Sequence, residues 1–170
     1  MATAADSVVS VLRGAFPCHG TKGGLIQVRI DLPTVSAELV AQGDGVLATG
    51  DIIQCFTLPK GTLITGAGIQ IEETVVGVAA LPIALGVTGQ NAAAFVVETD
   101  IGSSTSYVAT DYLSMATDGS DGGQLIGCGA AGAATDTVDI VCGTVTATTI
   151  TAGKLRVFAW IIDAGDMDGS

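Results

Sequence analysis

The chain is written largely in period two. From residue 25 to 31, Ile26, Val28 and Ile30 alternate with Gln27, Arg29 and Asp31. A strand with one face buried reads this way, and Pro33 stops it. Residues 51–73 carry the longest signal. They run D-I-I-Q-C-F-T-L-P-K-G-T-L-I-T-G-A-G-I-Q-I-E-E. Leu63, Ala67, Ile69 and Ile71 share one face, and Ile64, Gln70 and Glu72 share the other. Before the turn, Ile52, Phe56 and Leu58 oppose Ile53 and Cys55, so this strand is expected to be covered on both faces. The turn Pro59-Lys60-Gly61 joins a residue with preset φ to one that accepts positive φ. The pattern predicts a β-hairpin at the centre of the domain.

Elsewhere the signals are shorter. Residues 35–40 are ambiguous, and Gln42-Gly43-Asp44-Gly45 is a turn. A turn near residues 77–80 leads to a strand over 81–87 that has Pro82 at an edge or start. Residues 92–97 read as strand or short helix, and residues 107–115 as a strand. D-G-S-D-G-G at 118–123 is the strongest turn cluster. Residues 138–147 alternate Val138, Ile140 and Cys142 with Asp139, Val141 and Val145. The closing strand, K-L-R-V-F-A-W-I-I-D at 154–163, has a wholly apolar face of Leu155, Val157, Ala159 and Ile161. Eight to ten strands with no strong helix predict an all-β fold, an antiparallel β-sandwich that is jelly-roll-like. The expected organisation is an N-terminal arm (1–20), one sandwich domain (21–163) and an acidic tail (164–170).

Composition changes the picture in one respect. Of 170 residues, 48% are hydrophobic and only 14% charged, against about 25% charged in ordinary domains. So little charge leaves apolar surface for other protein to cover. The charges are 17 acidic against 6 basic, net −11. Nucleic acid and anionic membranes need clustered Lys and Arg, so neither is an expected partner. The first residues lack a basic start and a long apolar run, so no secretory signal is expected. The longest apolar run, 75–87, contains Pro82 and is too short to span a bilayer.

Candidate chemistry is sparse. Cys18, Cys55, Cys128 and Cys142 form no C-x-x-C pair, and free buried thiols are expected. The one histidine, His19, adjoins Cys18, and neighbours in sequence rarely meet as base and nucleophile. There is no G-x-S-x-G. Glu72-Glu73, Glu98/Asp100 and Asp118/Asp121 are carboxylate pairs of the kind used on glycosides, but one Trp, two Tyr and four Phe make a poor sugar platform. Acidic-glycine stretches at 118–123 and 163–169 lack the spacing of a calcium loop. The chain is therefore read as non-enzymatic, with no metal site and no cofactor. Lys60, Lys154, Arg156 and Trp160 are the candidate contacts with a neighbouring subunit. The alternative role for the cations is as edge-strand gatekeepers.

The segment D-I-I-Q-C-F-T-L-P-K-G-T-L-I-T-G-A-G-I-Q-I, the later L-P-I-A-L-G-V-T-G and the closing A-G-K-L-R-V-F-A-W-I-I-D resemble small virion structural proteins of tailed bacteriophages. These are the capsid decoration (cement) proteins and related head proteins. The similarity covers roughly residues 50–90 and 150–163. It implies an oligomer, a trimer by preference, seated on the capsid exterior against the major capsid protein and made in the host cytoplasm. It implies no catalytic residues. Two other roles suit the same fold: a tail-tube, fibre or other virion component, and a carbohydrate-binding sandwich module.

Overall fold

The computed structural model describes residues 4–5, 23–43, 45–59, 61–87, 91–103, 105, 107–114, 124–125, 135–145 and 149–163. The strands are β1 (Ala4–Ala5), β2 (Gly23–Asp31), β3 (Ile52–Pro59), β4 (Thr62–Val76), β5 (Pro82–Val87), β6 (Asn91–Asp100), β7 (Tyr112–Ser114), β8 (Gln124–Leu125), β9 (Thr135–Cys142) and β10 (Ala152–Asp163). One helix, α1 (Leu32–Gln42), follows β2 directly.

Two sheets carry these strands. One has the order β1-β3-β9-β5-β6, and the other β2-β10-β4-β7, with β8 also paired to β4. Apart from the short parallel pair β1–β3, every pairing is antiparallel. The pairing nests: β2 with β10, β3 with β9, β4 with β7 and β8, β5 with β6. A long antiparallel ribbon has been rolled so that its successive pairs alternate between the sheets. This is the jelly roll, and the all-β sandwich expected from the alternating pattern is correct.

The nested pairing corrects the reading of residues 51–73. β3 and β4 are not a hairpin. They belong to different sheets, and the chain crosses between the sheets after Pro59 and before β4, with Gly61 at the corner. Gly61, at φ 85°, holds the left-handed conformation that the corner requires. The hairpin in the middle of the roll is β5–β6 instead. A proline-glycine turn fixes a reversal, but not whether the second strand returns beside the first or over it. Pro82 is the first residue of β5, at the start as expected, although β5 lies between β9 and β6 rather than at an edge.

Bulges explain where the alternation misassigned faces. Cys55 is an extra residue between the pairs Gln54–Asp139 and Phe56–Val138. Ile53, Cys55 and Leu58 therefore all lie in the core, while Phe56 is only partly buried. Thr65 is extra between Ile64–Ile161 and Gly66–Trp160, so Ile64 joins Ala67, Ile69 and Ile71 inside. Each inserted residue switches the phase of everything beyond it.

The helix was legible in residues read as ambiguous. Asp31 caps it, its Oδ1 accepting from the Thr34 backbone N–H at 3.0 Å. Pro33 occupies the first turn, and Gly43, at φ 88°, ends it in the left-handed conformation. Leu32, Val35, Ser36 and Leu39 fall on its buried stripe. Leu32 seats on Gly153 of β10, where an added Cβ would lie 3.0 Å from its Cδ1. Residues 107–111 are turn and loop, so the strand expected over 107–115 shrinks to β7.

The core lies between the sheets. From β10, Leu155, Val157, Ala159 and Ile161 point into it, as their alternation predicted. At one corner, Asp100 Oδ1 accepts from the backbone N–H groups of Leu81 and Gly102, both at 2.8 Å, and ties two crossings together. Of the expected arm, only Ala4–Ala5 is described, paired to Ile52–Ile53 at the edge of β3. The expected tail at 164–170 lies outside the described residues.

Candidate interaction surface

The outer face of the β2-β10-β4-β7 sheet gathers most of the side chains singled out from sequence. β10 lies between β2 and β4. Its outward residues in order are Lys154, Arg156, Phe158 and Trp160, with Ile162 beyond. An edge-strand gatekeeper role for Lys154 and Arg156 is thus corrected, since both edges of β10 are paired.

Register decides what these residues meet. Arg156 lies directly opposite Arg29, and Lys154 opposite Asp31 on β2 and Glu73 on β4. Two arginines side by side repel. Glu72 relieves this. It is an extra residue on β4 between the pairs Ile71–Leu155 and Glu73–Lys154, so Glu72 and Glu73 both reach the outer face. Arg29 Nε lies 3.0 Å from Glu72 Oε2 and 3.1 Å from Oε1. Arg156 pairs with the same carboxylate. Lys154 Nζ is 2.8 Å from Glu73 Oε2 and 4.0 Å from Asp31 Oδ2. The hydrogen bond and charge of Glu73 hold the Lys154 ammonium above its ordinary range, with Asp31 and Glu72 adding to the effect. The Glu72-Glu73 pair, a candidate for acid–base work, is thus engaged by three cations of its own chain.

The other half of the face is apolar. Tyr112 and Phe158 meet edge to face, with ring centroids 6.5 Å apart. The Phe158 ring covers Gly68, where a Cβ would come within 2.8 Å of its Cζ. Tyr112 is 60% exposed, and beside the pair stand Trp160 (54%), Leu25 (48%) and Ile162 (40%). Trp160 pairs with Leu25 on one side and Gly66 on the other. The Thr65 hydroxyl donates to the Trp160 carbonyl at 3.2 Å, so the bulge residue fixes the backbone beneath the indole.

Other candidates are dispersed. Asp100 is used in the corner described above, while Glu98 packs its carboxylate over Gly143. Cys55 and Cys142 are free and buried. Burial, then the charge of Asp51, pushes the Cys142 thiol up to about 12. Burial and the charge of Asp139 push Cys55 up as well. Both remain protonated near neutral pH and behave as core hydrophobes. Among the described residues, no three His, Cys, Asp or Glu side chains are grouped to hold a metal ion. Cys18, His19, Lys60, Asp118, Asp121, Cys128 and the turn cluster at 118–123 lie outside the described residues, as does all but Asp163 of the stretch 163–169.

Alternation along the closing strand already put Lys154, Arg156, Phe158, Trp160 and Ile162 on one face, but Arg29, Leu25 and Tyr112 were missed as their neighbours. These three lie on β2 and β7, and only the strand order brings them beside β10.

No protein-family model and no curated protein matches the chain. Among solved structures, its fold is similar to that of a chain in the cyanophage Pam1 capsid asymmetric unit. The TM-score is 0.52 at 14% identity, over 88% of this chain and 92% of that one. At that identity the likeness is one of fold, and it runs nearly the full length of both chains.

Proposed function

We propose that this protein is a bacteriophage virion structural protein, a capsid decoration or cement protein that binds the head shell from outside and stabilises it. The observation that carries the proposal is the near-full-length fold likeness to a chain of a phage capsid. The outer sheet face supports it. A β face whose charges pair among themselves and whose apolar half bears Trp160, Leu25, Ile162 and Tyr112 suits burial against protein rather than turnover of a substrate. Its partners in this reading are copies of itself, a trimer being favoured, and the major capsid protein. Many individually modest contacts would then add across the shell through multivalency. No step of the role requires a catalytic residue or a cofactor.

The test is to delete the gene from its phage, isolate the heads and add back purified protein. Heads lacking it should rupture at a lower temperature, and add-back should restore the wild-type value. Heads of unchanged resistance that do not bind the protein would sink the proposal. Normal heads with defective tails would support a tail-tube or fibre role instead.

A further inference from the structure

We infer that the outer face of the β2-β10-β4-β7 sheet is covered by a second copy of this chain. This deepens the proposed function by naming the self-contact surface, and it is testable without any capsid.

Three observations converge on that face. The first is the distribution of apolar surface. Among the described residues the exposed large hydrophobics are Leu25, Val40, Val76, Val108, Tyr112, Trp160 and Ile162. Four of them, Leu25, Tyr112, Trp160 and Ile162, stand on this one face around Phe158. Scattered apolar residues need no explanation, but a cluster built on adjacent strands does.

The second is charge. The chain carries a net −11, so two copies repel at most orientations. Every Lys and Arg among the described residues (Arg29, Lys154 and Arg156) is on this face. Each is engaged by Glu72, Glu73 or Asp31, three cations against three anions. Away from it, the charged residues whose side chains are described are acidic: Glu38, Asp51, Glu98, Asp100, Asp111 and Asp139. The balanced face is where another strongly acidic molecule of the same kind approaches with least repulsion. A strongly basic partner would instead be drawn to the acidic remainder of the surface.

The third is size. Three long strands at ~4.8 Å spacing, each about 10 residues at ~3.3 Å, give on the order of 500 Å² in projection. Side-chain relief raises the accessible area towards the ~800 Å² per partner of a standard interface. Trp160, near the middle of the apolar half, is the residue type that anchors such contacts.

Trp160 is also the only tryptophan in the chain, so its fluorescence reports this face alone. The experiment follows sedimentation and tryptophan emission of the purified full chain over a dilution series, with Leu25→Glu in parallel. The wild type should sediment as a multiple of the chain mass with shielded emission. Both signals should move together to a single chain and solvent-exposed emission on dilution. Leu25→Glu should weaken association at least about tenfold, with unchanged far-ultraviolet circular dichroism. If that variant does not fold, the wild-type series decides alone. A single chain with exposed emission at all concentrations overturns the inference. So does a single chain with shielded emission, which would mean that residues of the same chain cover the face. An oligomer indifferent to a folded Leu25→Glu overturns it too. A single chain that still restores heads would contradict this inference and leave the proposed function standing. An oligomer that ignores heads would do the reverse.

Discussion

Arg29 and Arg156 sit directly opposite one another on adjacent strands and share the carboxylate of Glu72. Without that carboxylate, two cations would face each other across the ladder. Glu72 is also the less exposed partner, at 19% against 70% for Arg29 and 29% for Arg156. Glu72→Gln should therefore destabilise the fold by roughly 1–2 kcal/mol, more than loss of an ordinary surface pair. A shift in the urea midpoint with unchanged slope would check this. Adding Arg29→Gln should recover part of the loss, because it removes the repulsion.

The Lys154–Glu73 pair predicts a pH dependence of known sign. The folded-state pKa of Lys154 is raised, so the folded state holds this proton more tightly than the unfolded chain. The contribution is fully present below the ordinary lysine value of 10.5 and is lost as pH rises through the higher folded value. Because the pair is exposed, the effect should be small and weakened by salt. Comparison of Lys154→Met with wild type at pH 9 and above pH 11 measures it, the difference being larger at pH 9.

The buried thiols add a second alkaline term. Cys142 is protonated up to about 12 in the folded state, against an ordinary thiol value of 9.0. Between these values the unfolded chain releases the proton and the folded chain does not. Stability should therefore fall as pH rises from about 9, by up to ~1.4 kcal/mol per pH unit for each such thiol. Native-state alkylation with peptide mapping should leave Cys55 and Cys142 unmodified at pH 8, and denaturant should expose both.

Inward and outward positions of β10 should separate cleanly. Val157 is fully buried at the centre of the sheet, so Val157→Ala should cost about 1–3 kcal/mol of folding stability. Trp160→Ala should leave folding within ~0.5 kcal/mol and abolish self-association. Thermal unfolding and sedimentation of the same two variants provide the comparison.

Gly61 carries the crossing between sheets at φ 85°. Gly61→Ala should destabilise by about 1 kcal/mol or more, since an L side chain resists that conformation. A hairpin turn at this position would accept the change no better, so the distinguishing evidence is pairing. Nuclear Overhauser contacts should link β3 to β9 and β4 to β10, and not β3 to β4.

Much of this architecture was legible as alternation. β2 and β10 follow period two, and their inward residues match the core. What alternation could not supply is which strand lies beside which, because register and crossing are decided by burial of whole faces. The Pro59-Lys60-Gly61 corner shows this: its local chemistry is that of any tight reversal. The bulges at Cys55, Thr65 and Glu72 were equally hidden, since an inserted residue has no composition of its own and only shifts the phase. The helix is a different case. Asp31, Pro33 and Gly43 mark its ends plainly, and three buried apolar positions, Leu32, Val35 and Leu39, were too few to outweigh the strand pattern around them. The interaction surface was half visible. Lys154, Arg156 and Trp160 stood out as rare residue types in this chain, whereas Arg29 and Glu72 acquire meaning only from the register that brings them together.

The most direct measurement of the proposed function is a quantitative mass-spectrometric inventory of purified virions of the phage proposed to encode this chain. The account predicts on the order of hundreds of copies per particle, the stoichiometry that multivalent coverage of a shell requires. Particles that lack the protein, or hold only a handful of copies confined to the tail, would contradict it.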